Sequence, residues 1–284
     1  MTNNSTSPRA SGRLDFASLA GLILAVGGIL GGLLLEGGRA SDVGQYTAAL
    51  IVLGGTLGAV MLTTPLRLLL AALKRVKDVF WDTAPSAADV MRQLLDFARQ
   101  ARRSGILSLE NDADELADPF LRKALSLAVD GTDLQDLRRI MELEIELAER
   151  RGEAEARVFE AAGGYSPTIG IIGAVLGLIQ VMKHLEDIER VGHGIAVAFV
   201  ATVYGVGLAN LVLLPAANKL KARLDQTLEF RELMLEGVIG IVEGMNPKLL
   251  EKKLEAFLED VPDADTAGAR ESRLGASARP MAAR

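Results

Sequence analysis

Two carboxylate groupings come nearest to general acid–base chemistry: Asp112 with Glu115, and Glu142 with Glu144 and Glu146. Neither has a nucleophile and an orienting base beside it, and both lie in densely charged stretches, as solvated helix faces do. His184 and His193 are the only histidines and fall close together, in what reads as one short loop. They supply too few ligands for a metal ion. Cysteine is absent, which removes disulfides, thiolate metal sites and a cysteine nucleophile. No phosphate-cradling loop is present. The pattern predicts no enzyme activity, no cofactor and no metal. A net charge of −6 gives no reason to expect nucleic acid as a partner. What remains is hydroxyl and amide chemistry. Thr56, Thr63, Thr64, Ser166, Thr168, Thr202, Tyr204 and Asn210 are polar groups set within apolar sequence. Such groups can line a wet path or bond back to a carbonyl one turn earlier.

The elements that hold these groups are four uncharged apolar stretches, residues 16–35, 47–66, 161–182 and 194–217. None contains Asp, Glu, Lys or Arg. Each is long enough to cross a hydrocarbon core about 30 Å thick at about 1.5 Å per residue. The mean hydropathy of +0.25, with 24% charged residues, fits a membrane protein whose charges are crowded outside the spans. The first stretch ends in Leu33-Leu34-Leu35-Glu36 without a small-x-small cleavage site, so it is expected to be a retained helix. An ion carrier needs an ionisable group at membrane depth. These spans supply none, so any proton or sodium path needs a carboxylate from a partner helix, and a hetero-oligomer is expected.

Lys and Arg near the span ends set the orientation. Arg9 and Arg13 precede span one; Arg67, Lys74, Arg75 and Lys77 follow span two. Arg150, Arg151 and Arg157 precede span three, and Lys219, Lys221 and Arg223 follow span four. The other loops, 36–46 and 183–193, are poorer in basic residues. Both termini and the middle region are therefore expected in the cytoplasm.

The fold expected is all-α: an integral membrane protein with four transmembrane helices and a helical cytoplasmic domain inserted between spans two and three. The divisions are a disordered arm (1–15), two spans (16–66), the helical domain (67–160), two spans (161–217), a helical extension (218–259) and a disordered tail (260–284). Asp15 is expected to cap span one. Within the middle region, helices are expected over 87–103, from Pro119 through Val129, and from about Leu134 to Glu160, the last carrying the apolar stripe Leu134, Leu137, Met141, Ile145 and Ala148. Gly28 with Gly32, and Gly54 with Gly58, have the spacing that lets helices approach closely in lipid, and packing within the chain is expected ahead of packing against a neighbouring subunit. Pro167, amid Gly163, Gly164, Gly170 and Gly173, is either a start-of-helix residue or a hinge.

Several separated motifs then coincide with that topology. Residues 101–110 read Ala-Arg-Arg-Ser-Gly-Ile-Leu-Ser-Leu-Glu, residues 129–132 Val-Asp-Gly-Thr, residues 165–178 Tyr-Ser-Pro-Thr-Ile-Gly-Ile-Ile-Gly-Ala-Val-Leu-Gly-Leu, and residues 244–247 Gly-Met-Asn-Pro. Over roughly residues 14–258 the chain resembles the A-subunits of flagellar motor stators, the MotA/PomA family, which share a superfamily with TolQ and ExbB. The resemblance implies a homo-oligomeric ring, a pentamer around a dimer of MotB/PomB-like B-subunits, in the bacterial inner membrane and in contact with lipid. The B-subunit would supply the intramembrane aspartate, and ion flow would drive the ring against the rotor protein FliG. By position, Arg102, Arg103 and Glu110 match rotor-facing charges, while Asn111 and Ala113 stand where some members have acids. Pro167 and Pro247 match prolines coupled to conformational change, and Thr202 the threonine beside the B-subunit aspartate. Thr202, Ala174 and Tyr204 are expected along the ion path. Sodium-type members have a threonine at the place of Ala174, which removes one oxygen ligand, so H+ is expected over Na+. The alternative is a TolQ/ExbB-like energiser of envelope transport. Those proteins have three spans with the N-terminus outside, which the four spans and Arg9/Arg13 oppose.

Overall fold

The protein, seen in a computed structural model, is described for residues 13–82 and 86–260. Ten α-helices follow in chain order: α1 (Phe16–Leu35), α2 (Tyr46–Thr63), α3 (Leu66–Phe80), α4 (Ala87–Ser104), α5 (Glu110–Asp114), α6 (Pro119–Val129), α7 (Leu134–Lys183), α8 (Ile188–Gly207), α9 (Leu214–Val242) and α10 (Pro247–Asp260). The all-α expectation holds. The strand pairing among the described residues is a two-residue antiparallel ladder, Arg13–Leu14 with Trp81–Asp82. Helices long and apolar enough to cross a membrane occur at all four expected places.

Most local signals act as the sequence predicts. Asp15 caps α1, accepting from the Ser18 amide at 3.2 Å. Asp118 caps α6 through the amides of Phe120 and Leu121, with Pro119 in the first turn. The stripe of α7 is buried at Leu137, Met141 and Ile145. Span two ends at Thr63, not Leu66, because Pro65 forces Thr64 into extended backbone and its carbonyl then opens α3. His193 is not in a loop: Asp187 caps α8 through the Arg190 amide, so His193 sits on that helix. Pro167 starts no helix; α7 runs through it unbroken. Residues 13–15, expected within a disordered arm, have defined structure, and α10 extends to Asp260, the first residue of the expected tail. The remainder of the expected arm and tail, 1–12 and 261–284, lies outside the described residues.

The described residues divide into two compact units. The first lies within Met1–Ala84 and Glu146–Asp225. α2 packs on α8 through Ala48, Val52, Val200 and Ala201. The membrane part of α7 meets α8 at a closer distance. A Cβ at Gly205 would stand 2.6 Å from the Ser166 carbonyl oxygen, and one at Gly177 would stand 2.7 Å from that of Gly194. Only hydrogen fits there. Gly28, Gly32, Gly54 and Gly58, expected to serve packing within the chain, meet nothing within 4 Å, so the close helix contacts fall elsewhere. α1 has no buried residue and is apolar on every side, as suits a helix in hydrocarbon. Val60, Leu69, Val79, Phe159, Ala217 and Leu220 form the core at the α3 end of this unit.

Between α8 and α9 lies a π-helical segment, Leu208–Leu213, in which the Leu214 amide bonds to Ala209 five residues back. Its origin is the spacing of small buried residues. Val197, Ala201, Gly205, Ala209 and Ala217 are all buried and differ by multiples of four. A helix of 3.6 residues per turn drifts about 40° at each four-residue step, and one wide turn recovers about 100° of that drift.

At the start of α1, Asp15 joins three elements. Its amide bonds to the Phe80 carbonyl at 2.9 Å, and its carboxylate pairs with Lys219 at 2.5 Å and Arg223 at 3.3 Å. The Lys219 hydrogen bond, against the opposing effect of burial, holds the Asp15 carboxyl at about 2.

The second unit lies within Pro85–Ile145 and Gln226–Arg284. Leu94, Leu109, Leu121, Leu125, Leu233 and Ile239 are among its fully buried side chains. Glu236 is its polar tie, reaching Arg138 at 2.9 Å and Lys253 at 2.5 Å. Burial pushes the Glu236 carboxyl up, but Lys253 and Arg138 outweigh it and leave it below its ordinary value.

Candidate functional site: a charged turn and a hydroxyl-bearing helix pair

Four arginines lie on α4, and they fall into two classes. Arg92 pairs with Asp89 and Arg99 with Asp96, each at 2.8 Å and each three residues along the helix. Arg102 and Arg103 have no such carboxylate; the residues three before them are Arg99 and Gln100. Both are exposed, at the last turn of α4, and neither forms an ion pair among the described residues. Gly105 then turns the chain at φ 81°, a left-handed conformation that disfavours a side chain. A short 3₁₀ turn, Ile106–Leu109, leads to exposed Glu110 at the start of α5.

Gln100 fixes this turn, and sequence reasoning missed it. Its amide donates to the Ser108 carbonyl at 3.0 Å and to the Asp112 carboxylate at 2.7 Å. Leu109 beneath is fully buried. A spacing of eight and twelve residues across a turn has no periodic signature, so only the folded chain reveals this clasp. The result is three unpaired charges, Arg102, Arg103 and Glu110, on a turn held from below. Exposed charges so arranged can meet an oppositely charged surface, giving steering and register rather than tight affinity.

The second set of expected residues lies on α7 and α8. Ser166 is fully buried and donates to the Gly205 carbonyl at 2.9 Å, tying the helices beside Pro167. That clamp and the Gly170–Gly205 approach account for the unbroken helix at a proline. Thr202 donates back to the Ala198 carbonyl at 3.2 Å, and Thr168 to that of Tyr165 at 2.7 Å. Ala174 and Thr202 each follow a member of the Gly173–Ala201 contact, half-buried at the edge of the pair. Tyr204 points its hydroxyl elsewhere: it donates to the Val43 carbonyl and accepts from the Gln45 amide at 3.3 Å, fastening the α1–α2 connection to α8. Thr56 on α2 is buried, and its hydroxyl has no hydrogen-bond partner among the described residues. Pro247 opens α10, where the Asn246 side chain caps through the Lys248 amide at 3.0 Å. Among the described residues, no group of three or more His, Asp or Glu side chains could hold a metal ion.

Comparison with known proteins shows what the whole chain is similar to. Residues 112–233 match the MotA/TolQ/ExbB proton channel family, and residues 19–105 match the N-terminal region of motility protein A. The chain is 37% identical to motility protein A of Bacillus subtilis over 86% of its own length and 91% of the relative's. It is 32% identical to the chemotaxis protein PomA of Vibrio alginolyticus, over 87% and 96% of the two chains. Among solved structures, C. jejuni MotAB matches with a TM-score of 0.83 and 35% identity, over 88% of this chain and 98% of that one. The flagellar MotAB stator complex of Bacillus subtilis matches at 0.79 and 37%, over 84% and 94%. The protein is thus a multi-pass inner-membrane protein of an ion-channel rather than an enzyme family, and it belongs to the MotA/PomA family of flagellar stator subunits within the MotA/TolQ/ExbB superfamily.

Proposed function

We propose that this chain forms, with a B-subunit, an ion-driven stator whose cytoplasmic charges push on the rotor protein FliG. The observation that carries the reading is the contrast on α4: Arg92 and Arg99 are neutralised by their own helix, whereas Arg102, Arg103 and Glu110 are left unpaired on a turn that Gln100 and Leu109 hold in place. The solved relatives are MotAB complexes, which supports a B-subunit partner. The four apolar stretches carry no Asp, Glu, Lys or Arg, so the ion-binding carboxylate comes from that partner. The carried ion is H+: Ala174 offers no oxygen, Thr202 has a hydroxyl at the half-buried edge of the helix pair, and Na+ needs several oxygen ligands at once. The A-subunits assemble as a pentamer around a B-subunit dimer, with both termini in the cytoplasm as the basic flanks direct. Pro167 and Pro247 are positions where ion binding couples to movement of the chain.

The test is co-expression with the cognate B-subunit in a strain lacking its stator genes, beside Arg102→Glu. Wild type should restore rotation. The variant should lose torque under load while ion conductance persists. An Arg102→Glu motor that turns at wild-type torque would refute the role of this turn. Dependence of speed on external Na+ at fixed pH would refute H+ as the ion.

A further inference from the structure

The ends of three helices in the second unit surround a cavity of about 400 Å³. Arg102 lines it from α4, Gly131 from the turn after α6, and Gly244 from the turn after α9. The space exists because its walls are small. Ala98 and Ala128 are buried, Ala101 is half-buried, and larger side chains at these positions would fill it. Ile106, Ile241, Val242 and Met245 supply the apolar share of the lining and Arg102 and Thr132 a polar share, around a space large enough for a leucine or phenylalanine side chain. Helix C-termini carry partial negative charge, so three of them together oppose entry of a carboxylate. The field is offset by Arg102, a lining cation with no ion pair among the described residues.

A hollow with apolar wall residues and a cation, Arg102, in the same lining fits a helix with an apolar side chain and, one turn along, a carboxylate. We propose that this cavity is the anchor point of the rotor contact, taking one apolar side chain of the rotor protein's helix while Arg102 pairs with the adjacent acid. The proposal rests on the rotor reading of Arg102 given above. Exposed charge pairs steer and align but hold weakly, whereas a side chain buried in a pocket carries a large share of binding energy. Fully burying one Leu-sized side chain is worth roughly tenfold to a hundredfold in a binding constant.

Ala101→Leu and Ala128→Val fill the cavity without altering charge. Each would be made in the full-length chain with its B-subunit, and read by thermal midpoint in detergent and by dwell time of stator units on a bead-loaded motor. The expected result is an unchanged or raised midpoint with dwell time shortened about tenfold. Loss of function without loss of stability is a signature that misfolding does not produce. Wild-type dwell time in both filled variants would overturn the proposal. Arg102→Glu separates the two levels: if it alone loses torque, the charged contact stands and the anchor falls; if all three variants behave as wild type, the rotor reading falls as well. Should filling lower the midpoint, a photo-crosslinking side chain at Met245 decides. An adduct to an apolar residue of a rotor helix supports the anchor, and its absence overturns it.

Discussion

Asp15→Asn should destabilise the protein by about 2 kcal/mol at neutral pH while keeping the helix cap. Asparagine retains an oxygen that can accept from the Ser18 amide, as Asp15 does at 3.2 Å, so α1 still starts where it does. What the variant loses is charge against Lys219 and Arg223. The Asp15 carboxyl lies at about 2 against an ordinary 3.8. At about 1.4 kcal/mol for each pH unit, that difference is worth about 2 kcal/mol. The carboxylate is only 13% exposed, so solvent screens the pair less than it would a surface bridge. The sign follows from a lowered value: the contribution is complete above pH 3.8 and disappears as pH falls to about 2. The assay is the thermal midpoint of the detergent-purified protein across pH. The wild type should exceed the variant by roughly 4–8 °C at pH 7, and the gap should close as pH approaches 2. A gap under 1 °C at pH 7, or one that persists undiminished in acid, would show that the clamp does not act through charge.

Gly205→Ala should separate α7 from α8, since its Cβ would stand 2.6 Å from the Ser166 carbonyl oxygen; a loss of roughly 1–3 kcal/mol is expected, measured by chemical denaturation in mixed micelles. Ser166→Ala removes only one buried hydrogen bond and should cost about 1 kcal/mol, so equal losses would mean the close approach is not the controlling contact. Thr56→Val replaces a buried hydroxyl that has no partner among the described residues, and should raise the thermal midpoint by roughly 2–4 °C; a lowered midpoint would mean that the hydroxyl has a partner in the assembled complex.

Span one matched residue for residue because an uncharged run bounded by Asp15 and Glu36 leaves little choice of ends. The same legibility extends to α6, where Asp118-Pro119 states both cap and first turn, and to the stripe of α7. The error in span two came from counting hydropathy through Thr64-Pro65, where backbone geometry ends the helix before the apolar run does. His193 was misplaced for the converse reason: Glu189 and Arg190 read as loop residues but belong to the capped, polar start of α8. The charged turn was visible from its motif, but its support was not. Gln100 bridging to Ser108 and Asp112 depends on how the turn closes, and no period in the sequence encodes that. Glycine spacing pointed to Gly28/Gly32 and Gly54/Gly58, whereas the tight contacts use Gly170, Gly177, Gly194 and Gly205, whose partners lie on the facing helix.

The wide turn at Leu208–Leu213 has an evolutionary consequence. It holds one residue more than a regular helix would need between Gly205 and Ala217. A relative shorter by one residue within this segment keeps the same inner face on both sides, with the helix merely straightened. Loss of a residue elsewhere in α8, or in α9 as far as Ala217, would turn Ala217 and Leu220 about 100° away from Val60 and Leu69. Length variation along this helix should therefore be tolerated at residues 208–213 and selected against on either side, which makes the segment the natural place for a gap when such chains are aligned.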